Sequence, residues 1–345
     1  MATLGSMTGK RQRVAQLFDR VGFSRALMAL RGMAPPIWLT VITYHRVGEA
    51  KASDELGEEV FDSTPQFFEE HVEFIARHGS FVDTAEVIAH LGGAPLPKNP
   101  VMITFDDGYR ECIDVVLPIL KRHGGKATFF ITTDHMNERR MFWWDRIAVI
   151  FRRSALDTIA IDFPRKLELA RDEAAQACLE IVKQERELDL PRFLAHLEER
   201  AQVTISEEEE ARFVEQVLMT WEEVLALRDA GMDIQSHTCS HRVVQTLAPD
   251  MLERELGESR RVLEERLEQP VRALAYPVGY PIGDDRVIRG ALEKAGYEIA
   301  FTNATGPAPT YRPMDRFEIP RMAMDSLYDA PFFRSVMALP ALGYT

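Results

Sequence analysis

The chain has 345 residues, enough for one large domain or two ordinary ones. Hydrophobic residues make up 46% of it, which excludes global disorder and supplies material for a core. Its 41 basic and 54 acidic residues give a net charge of −13, which argues against nucleic acid as the main partner. A membrane-spanning helix needs about 18 consecutive apolar residues, and no such run exists. Cys112, Cys178 and Cys239 lack the spacing of a disulfide framework, so the composition predicts a globular, cytoplasmic protein.

Residues 1–36 predict an N-terminal amphipathic helical extension that ends before Pro35 and Pro36. Charged residues interrupt the apolar run that a secretory signal peptide needs. We expect the helix to pack on the main domain. The alternative is that residues 8–32 contact an anionic membrane surface, which would place the protein peripherally at the inner membrane face.

From residue 37 onward, short apolar runs alternate with helical patterns. The predicted strands are Ile37–Tyr44, Val101–Phe105, Ala127–Thr133, Met232–Ser236, Ala273–Tyr276, Ile299–Thr302 and Glu318–Met322. The predicted helices cover residues 65–78, 84–91, 111–123, 221–230, 249–267 and 285–295. This alternation predicts an α/β fold of parallel strands with crossover helices, and seven strands favour a barrel over an open sheet.

Residues 137–219 interrupt this alternation. They are rich in charge and in helix-forming residues and contain no convincing strand. The acidic run Glu207–Glu210 is typical of a helix start, because carboxylates favour a helix N-terminus. We interpret the segment as a helical insertion that interrupts a barrel domain of residues 37–345 and that covers the site or shapes substrate choice.

Chemically capable residues follow the ends of several predicted strands. The strand ends read Tyr44-His45-Arg46, Thr104-Phe105-Asp106-Asp107-Gly108, Ser236-His237-Thr238-Cys239-Ser240-His241, Tyr276-Pro277-Val278-Gly279 and Pro320-Arg321. Active sites of parallel barrels lie at the carboxyl ends of the strands. Carboxylates, imidazoles and a guanidinium are therefore expected at one rim.

Two pairs of residues indicate a metal site. In Asp106-Asp107, one carboxylate can bind a metal while the other faces the substrate, although a surface turn would have the same sequence. His237 and His241 are four residues apart, so a helical turn would place both on one face. With Asp107 they form a set of two imidazoles and one carboxylate, which suits zinc and also Fe(II). The α/β pattern argues against an iron oxygenase, and Cys239 is expected to be a structural thiol.

These motifs carry a family resemblance. The sequences TFDDG at 104–108 and SHTCSH at 236–241 resemble the first two motifs of the NodB-type polysaccharide deacetylases, carbohydrate esterase family 4. The resemblance extends over about residues 37–325. It includes Thr43–Val47, Ala127–Ile131, Trp143–Asp145, Thr220–Glu222 and Phe301-Thr302.

The resemblance implies a distorted (β/α)7 barrel of NodB type and a divalent metal, usually Zn²⁺, with Co²⁺ or Ni²⁺ as alternatives. It also implies removal of an acetyl group from an N-acetylated amino sugar. Carried over by position, the metal ligands are Asp107, His237 and His241, and Asp106 is the catalytic base. The amide of Val278 would donate to the oxyanion.

The chain departs from the family pattern at two places. The third motif, Arg-x-Pro-x-Gly, reads Ala275-Tyr276-Pro277-Val278-Gly279, so its arginine is missing. No histidine follows His241, so the family's late histidine, its general acid, is missing too. Arg321 and His45 end the last and first strands, which are neighbours in a closed barrel. We therefore expect them to replace the two residues, against the alternatives of a rim ion pair and a structural histidine.

Three interpretations stay open at this point. The favoured one is a metal-dependent deacetylase that acts on an amino sugar within a glycan or glycoconjugate precursor in the cytoplasm, linked to a nucleotide or a lipid. The alternatives are a related hydrolase of linear or cyclic amides and a catalytically inactive glycan-binding barrel. Trp143 and Trp144 are expected in the core or in a sugar-stacking wall. The oligomeric state is not predicted.

Overall fold

The computed structural model describes residues 13–49, 61–326 and 328–340. Its strands are β1 (Trp38–Tyr44), β2 (Ser80–Phe81), β3 (Pro100–Phe105), β4 (Thr128–Ile131), β5 (Thr158–Ile161), β6 (Leu167–Ala170), β7 (Asp233–Ser236), β8 (Ala273–Ala275), β9 (Ile299–Thr302), β10 (Ala308–Pro309), β11 (Ile319–Pro320) and β12 (Met322–Ala323). Its α-helices are Phe23–Arg31, Pro65–His78, Thr84–Leu91, Leu117–Arg122, Thr133–Glu138, Trp143–Arg153, Arg171–Gln184, Leu190–Ala201, Glu207–Val217, Trp221–Asp229, Pro249–Leu267, Arg286–Ala295 and Ala330–Ala338. Residues 13–20 are also helical.

The main sheet has the strand order β10-β1-β3-β4-β7-β8-β9-β11. From β1 to β11 the neighbouring strands are parallel. Only Arg321 separates β11 from β12, and β12 pairs in parallel with β1. The last predicted strand is therefore split in two, and its halves join the two edges of the sheet. This confirms the NodB-type α/β barrel, with β11 and β12 counting as one strand.

The side chains of the barrel strands alternate between two apolar clusters. One cluster packs between the sheet and the outer helices and includes Ile42, Ile103 and Phe129. The other is made of alternate residues on the same strands, such as Val41, Met102, Phe130, Phe301 and Ile319. Since successive residues of a strand point to opposite faces, this smaller cluster marks the interior of the barrel.

The segment between β4 and β7 consists mainly of helices, as its composition predicts. The expectation that residues 137–219 contain no strand is wrong, because β5 and β6 form an antiparallel hairpin there. In β5 exposed and buried residues alternate, which is the pattern of a half-buried strand, but the strand is only four residues long. Ser206 caps the helix that starts at Glu207, as the acidic run indicates.

The N-terminal extension packs against the last helix, Ala330–Ala338. It is not a single helix, since Gly22 adopts a left-handed conformation (φ 72°) between the two helical segments. Arg334 forms an ion pair of 2.7 Å with Asp19, and the Oγ atoms of Ser24 and Ser335 lie 3.1 Å apart. Among the described residues, no helix combines the length and the apolarity needed to cross a bilayer.

Candidate metal centre and active site

The barrel brings Asp107, His237 and His241 together at the carboxyl ends of β3 and β7. One ligand atom from each residue lies within 4.8 Å of the others, and all three residues are buried. Oδ1 of Asp107 is 3.4 Å from Nε2 of His237 and 3.4 Å from Nε2 of His241. The three residues predicted to be metal ligands therefore converge on one point.

The loop that carries the two histidines is not a helical turn, so that part of the expectation is wrong. Thr238 and His241 have left-handed backbone conformations, with φ of 67° and 55°. The buried carboxylate of Glu255 holds the loop by accepting hydrogen bonds of 2.9 Å from the backbone amides of both Cys239 and Ser240. Glu255 is not among the residues predicted from the sequence. The sequence feature that could have identified it is a charged residue at a position on the apolar face of the helix Pro249–Leu267.

The protonation of this cluster fits a bound cation. Nδ1 of His237 donates to the carbonyl of Ala275 at 2.8 Å, so Nε2 is the ring nitrogen that faces Asp107. Burial, with His237 and His135 nearby, lowers the pKa of His241 well below its usual value, so His241 is neutral. Oδ1 of Asp107 is buried without a hydrogen-bond partner. Three Lewis-basic atoms thus face one another, which is the donor set of a divalent metal with three protein ligands.

Asp106, next to this cluster, is held by Arg321. The guanidinium donates to Oδ1 at 2.7 Å and to Oδ2 at 2.8 Å, and the Arg321 side chain is fully buried. Burial favours the neutral acid, but Arg321, His237 and His45 outweigh burial and lower the pKa of Asp106 to about 2. The guanidinium missing from residues 275–279 is thus supplied by the strand that closes the barrel.

His45 lies at the same rim and has its own carboxylate partner. Its Nε2 is 4.0 Å from Oδ2 of Asp106, and its Nδ1 is 3.3 Å from Oδ2 of Asp62. Burial lowers the pKa of His45, but Asp62, Asp107 and Asp106 together raise it to about 10. A divalent cation at Asp107 would oppose this rise. No sequence motif marks Asp62, so this partner of His45 was not predicted from the sequence.

Val278 lies at the end of β8, on the same side of the barrel. It adopts a left-handed conformation (φ 62°) within the turn Pro277–Gly279. A Cβ atom at Gly279 would lie 2.5 Å from the side chain of Asn303, so the turn fits tightly against the end of β9. Val278 is three residues from Ala275, whose carbonyl accepts a hydrogen bond from His237. The position of the Val278 backbone at the rim is therefore fixed.

The two tryptophans at the start of the insertion have different surroundings. Trp143 is buried, and its Nε1 donates to the carbonyl of His241 at 3.2 Å. The half-buried Trp144 ring lies 4.4 Å from the His241 ring and stacks on Phe142. Trp143 thus supports the loop that carries the two histidines, whereas Trp144 lies against the ring of His241. The insertion therefore contacts the loop of His241 through both tryptophans.

The fold and the site together define a barrel hydrolase with a carboxylate pair and two histidines at its rim. The family model for polysaccharide deacetylases matches residues 93–300, more than half of the chain, and the chain belongs to this family of carbohydrate deacetylases.

Individual relatives are distant. YxkH of Bacillus subtilis (strain 168) is 28% identical over 90 residues, which span 26% of this chain and 31% of YxkH. The Streptococcus pyogenes deacetylase PplD, solved with acetate, has a TM-score of 0.59 at 17% identity and covers 88% of this chain and 99% of PplD. IcaB from Ammonifex degensii has a TM-score of 0.53 at 17% identity and covers 88% of this chain and 97% of IcaB. At this identity the two structures show a shared fold.

Proposed function

We propose that this protein is a metal-dependent deacetylase of an N-acetylated amino sugar within a glycan or glycoconjugate precursor. The observation that carries the proposal is that a possible metal site lies next to an ionised carboxylate. The buried Asp107–His237–His241 cluster can hold the metal, and the Arg321-bound carboxylate of Asp106 adjoins it. Family membership supports the acetylated-sugar substrate class.

Asp107, His237 and His241 would hold the cation, zinc by its donor set, with cobalt or nickel as alternatives. When bound, the cation would act as a Lewis acid on the acetyl carbonyl and make water more acidic. Arg321 keeps Asp106 ionised, so that its carboxylate can accept the proton of the attacking water.

The remaining groups act on the oxygen and nitrogen of the scissile amide. The backbone amide of Val278 would donate a hydrogen bond to the carbonyl oxygen as charge develops on it. His45, oriented by Asp62, would protonate the leaving nitrogen. Water adds to the carbonyl carbon and the C–N bond breaks, which yields acetate and a free amino sugar.

The structure disfavours the two alternatives. An inactive glycan-binding barrel was conceivable because two family residues are missing, yet Arg321 contacts the base and His45 lies beside it. Some hydrolases of other amides lack the metal triad, whereas here its three residues converge.

Acetate release tests the proposal. The substrates are N-acetylated chitooligosaccharides, a nucleotide-linked N-acetylamino sugar and a lipid-linked one, each with chelator and after readdition of Zn²⁺, Co²⁺ or Ni²⁺. We expect metal-dependent release from at least one substrate and none from a His237→Ala/His241→Ala variant. Stoichiometric metal in that folded variant would refute the ligand assignment. Glycan binding without any acetate release by the metal-loaded protein would favour the inactive barrel.

A further inference from the structure

The N-terminal extension concentrates the exposed apolar surface of the protein. Within the described ranges, twelve large apolar side chains are exposed, and seven of them lie between residues 14 and 37. These seven are Val14, Leu17, Val21, Phe23, Leu30, Met33 and Ile37. Scattered exposed apolar residues are ordinary, but a cluster of this size marks an interaction surface.

The exposed side chains of each helical segment share one face, and this surface is called the apolar stripe below. At about 100° per residue, Val14, Leu17 and Val21 lie within about 60° of one another around the helix axis. The rings of Phe18 and Phe23 are 4.8 Å apart and connect the two helical segments. The stripe therefore faces away from the side that packs on the last helix.

The charge of the extension is opposite to that of the whole protein. Residues 13–37 contain four arginines and one aspartate, whereas the whole chain has a net charge of −13. The aspartate, Asp19, is already paired with Arg334. Arg13 and Arg20 are exposed and flank Leu17 on the helix. An apolar stripe bordered by arginines complements a surface that is both hydrophobic and negatively charged.

We propose that residues 13–37 are a docking surface for an anionic lipid bilayer, on which the extension lies in the plane of the interface. The apolar stripe would enter the boundary between headgroups and acyl chains, and the exposed Arg13 and Arg20 would bind lipid phosphates. The opposite face stays on the protein through Ser24, Asp19 and Arg31, whose guanidinium donates to the carbonyl of Met337 at 2.7 Å. Docking therefore requires no unfolding of the extension.

Vesicle cosedimentation of the full chain tests this surface. We expect binding to vesicles of phosphatidylcholine with one quarter phosphatidylglycerol to exceed binding to pure phosphatidylcholine by roughly tenfold or more, and to weaken as salt rises. Leu17→Asp/Leu30→Asp should lower the partition coefficient by roughly tenfold or more for each leucine withdrawn from the bilayer. Arg13→Gln and Arg20→Gln should each lower it about fivefold, and only on anionic vesicles.

Two controls make the result specific. Val287 and Tyr311, exposed by 58% and 73% outside the extension, provide matched Val287→Asp and Tyr311→Asp variants that should bind like the wild type. Asp106→Asn should also bind normally, since docking does not depend on the proposed reaction. Thermal unfolding checks that each variant is folded.

Equal binding to anionic and neutral vesicles, or no binding, would overturn the proposal. So would a dimer in sedimentation velocity that Leu17→Asp/Leu30→Asp converts to a monomer while vesicle binding stays unchanged, because a second copy would then cover the stripe.

Discussion

Replacing Arg321 with methionine tests the most unusual contact of the site. The substitution keeps an unbranched side chain in the barrel interior but leaves Asp106 buried without its bidentate partner. Removing one partner of a buried ion pair typically costs about 3–5 kcal/mol. Two charge-assisted hydrogen bonds at about 1.5–3 kcal/mol each give about 3–6 kcal/mol, which overlaps that range. A domain with about 5–15 kcal/mol of stability would lose a large part of it.

The pH dependence of this effect has a definite sign. Arg321 is the strongest influence that lowers the pKa of Asp106, which is about 2 in the folded protein. A carboxylate with a lowered folded-state pKa contributes stability above its unfolded pKa of about 3.9 and loses it as the pH falls through the folded value. Without Arg321 the folded pKa rises. In Arg321→Met this contribution is therefore expected to shrink or reverse.

Urea unfolding at neutral pH, metal affinity by chelator competition and kcat measure the consequences. We expect Arg321→Met to lose about 3–5 kcal/mol and most of its turnover, while a metal bound at Asp107 is retained. Arg321→Met/Asp106→Asn, which removes both charges, should be more stable than Arg321→Met alone. Arg321→Lys keeps the charge without the bidentate geometry and should lie between. Stability within about 1 kcal/mol of wild type and a kcat within about twofold for Arg321→Met would refute the assignment.

Substitutions at four other residues test further parts of the structure. Asp106→Asn should keep its metal content while turnover falls by roughly 10²–10⁴-fold, the range for loss of a general base, and near-normal turnover would contradict that role. His45→Gln should change the alkaline limb of the pH–rate profile, because a general acid with a raised pKa loses its proton only above the usual histidine range. Glu255→Ala should weaken metal binding roughly 10–100-fold in chelator competition, with Glu255→Gln much closer to wild type, and equal affinities would show that Glu255 does not position the ligand loop. His71 is buried in the helix Pro65–His78, which lowers its pKa to about 3, so its contribution to stability is fully present above about pH 6.5 and falls by about 1.4 kcal/mol per pH unit down to the folded value. His71→Gln should reduce the slope by that amount in urea unfolding at pH 5–7, and an unchanged slope would contradict this.

The strand ends were predictable because parallel strands of a barrel share one rim. His45 follows Tyr44 and Asp106 follows Phe105, and these two strand residues are paired in register. The neighbourhood of Arg321 followed from the same reasoning, since the first and last strands of a closed barrel must be adjacent. The order of the elements along the chain carries this information, so no side-chain detail was needed.

The conformations of the loops were not predictable in this way. A spacing of four residues between His237 and His241 fits a helical turn, yet left-handed residues bring the two imidazoles together in an irregular loop. Glu255 and Asp62 lie far along the chain from the histidines that they support. Such partners depend on which distant backbone amides the fold brings close, and neither residue belongs to a local motif.

The position of Arg321 links two properties, the closure of the barrel and the charge state of Asp106. Its backbone lies between the two short strands that close the barrel, and its amide donates to the carbonyl of Thr302 at 3.0 Å. Its side chain crosses the interior to Asp106 at the end of β3. The carboxylate requires a cation beside it but does not require that cation to come from the third family motif, so a guanidinium from the closing strand satisfies the same electrostatic condition. The charge that keeps Asp106 ionised therefore also ties the closing strand to β3, and barrel closure and the proposed catalysis should respond together to any change at this residue.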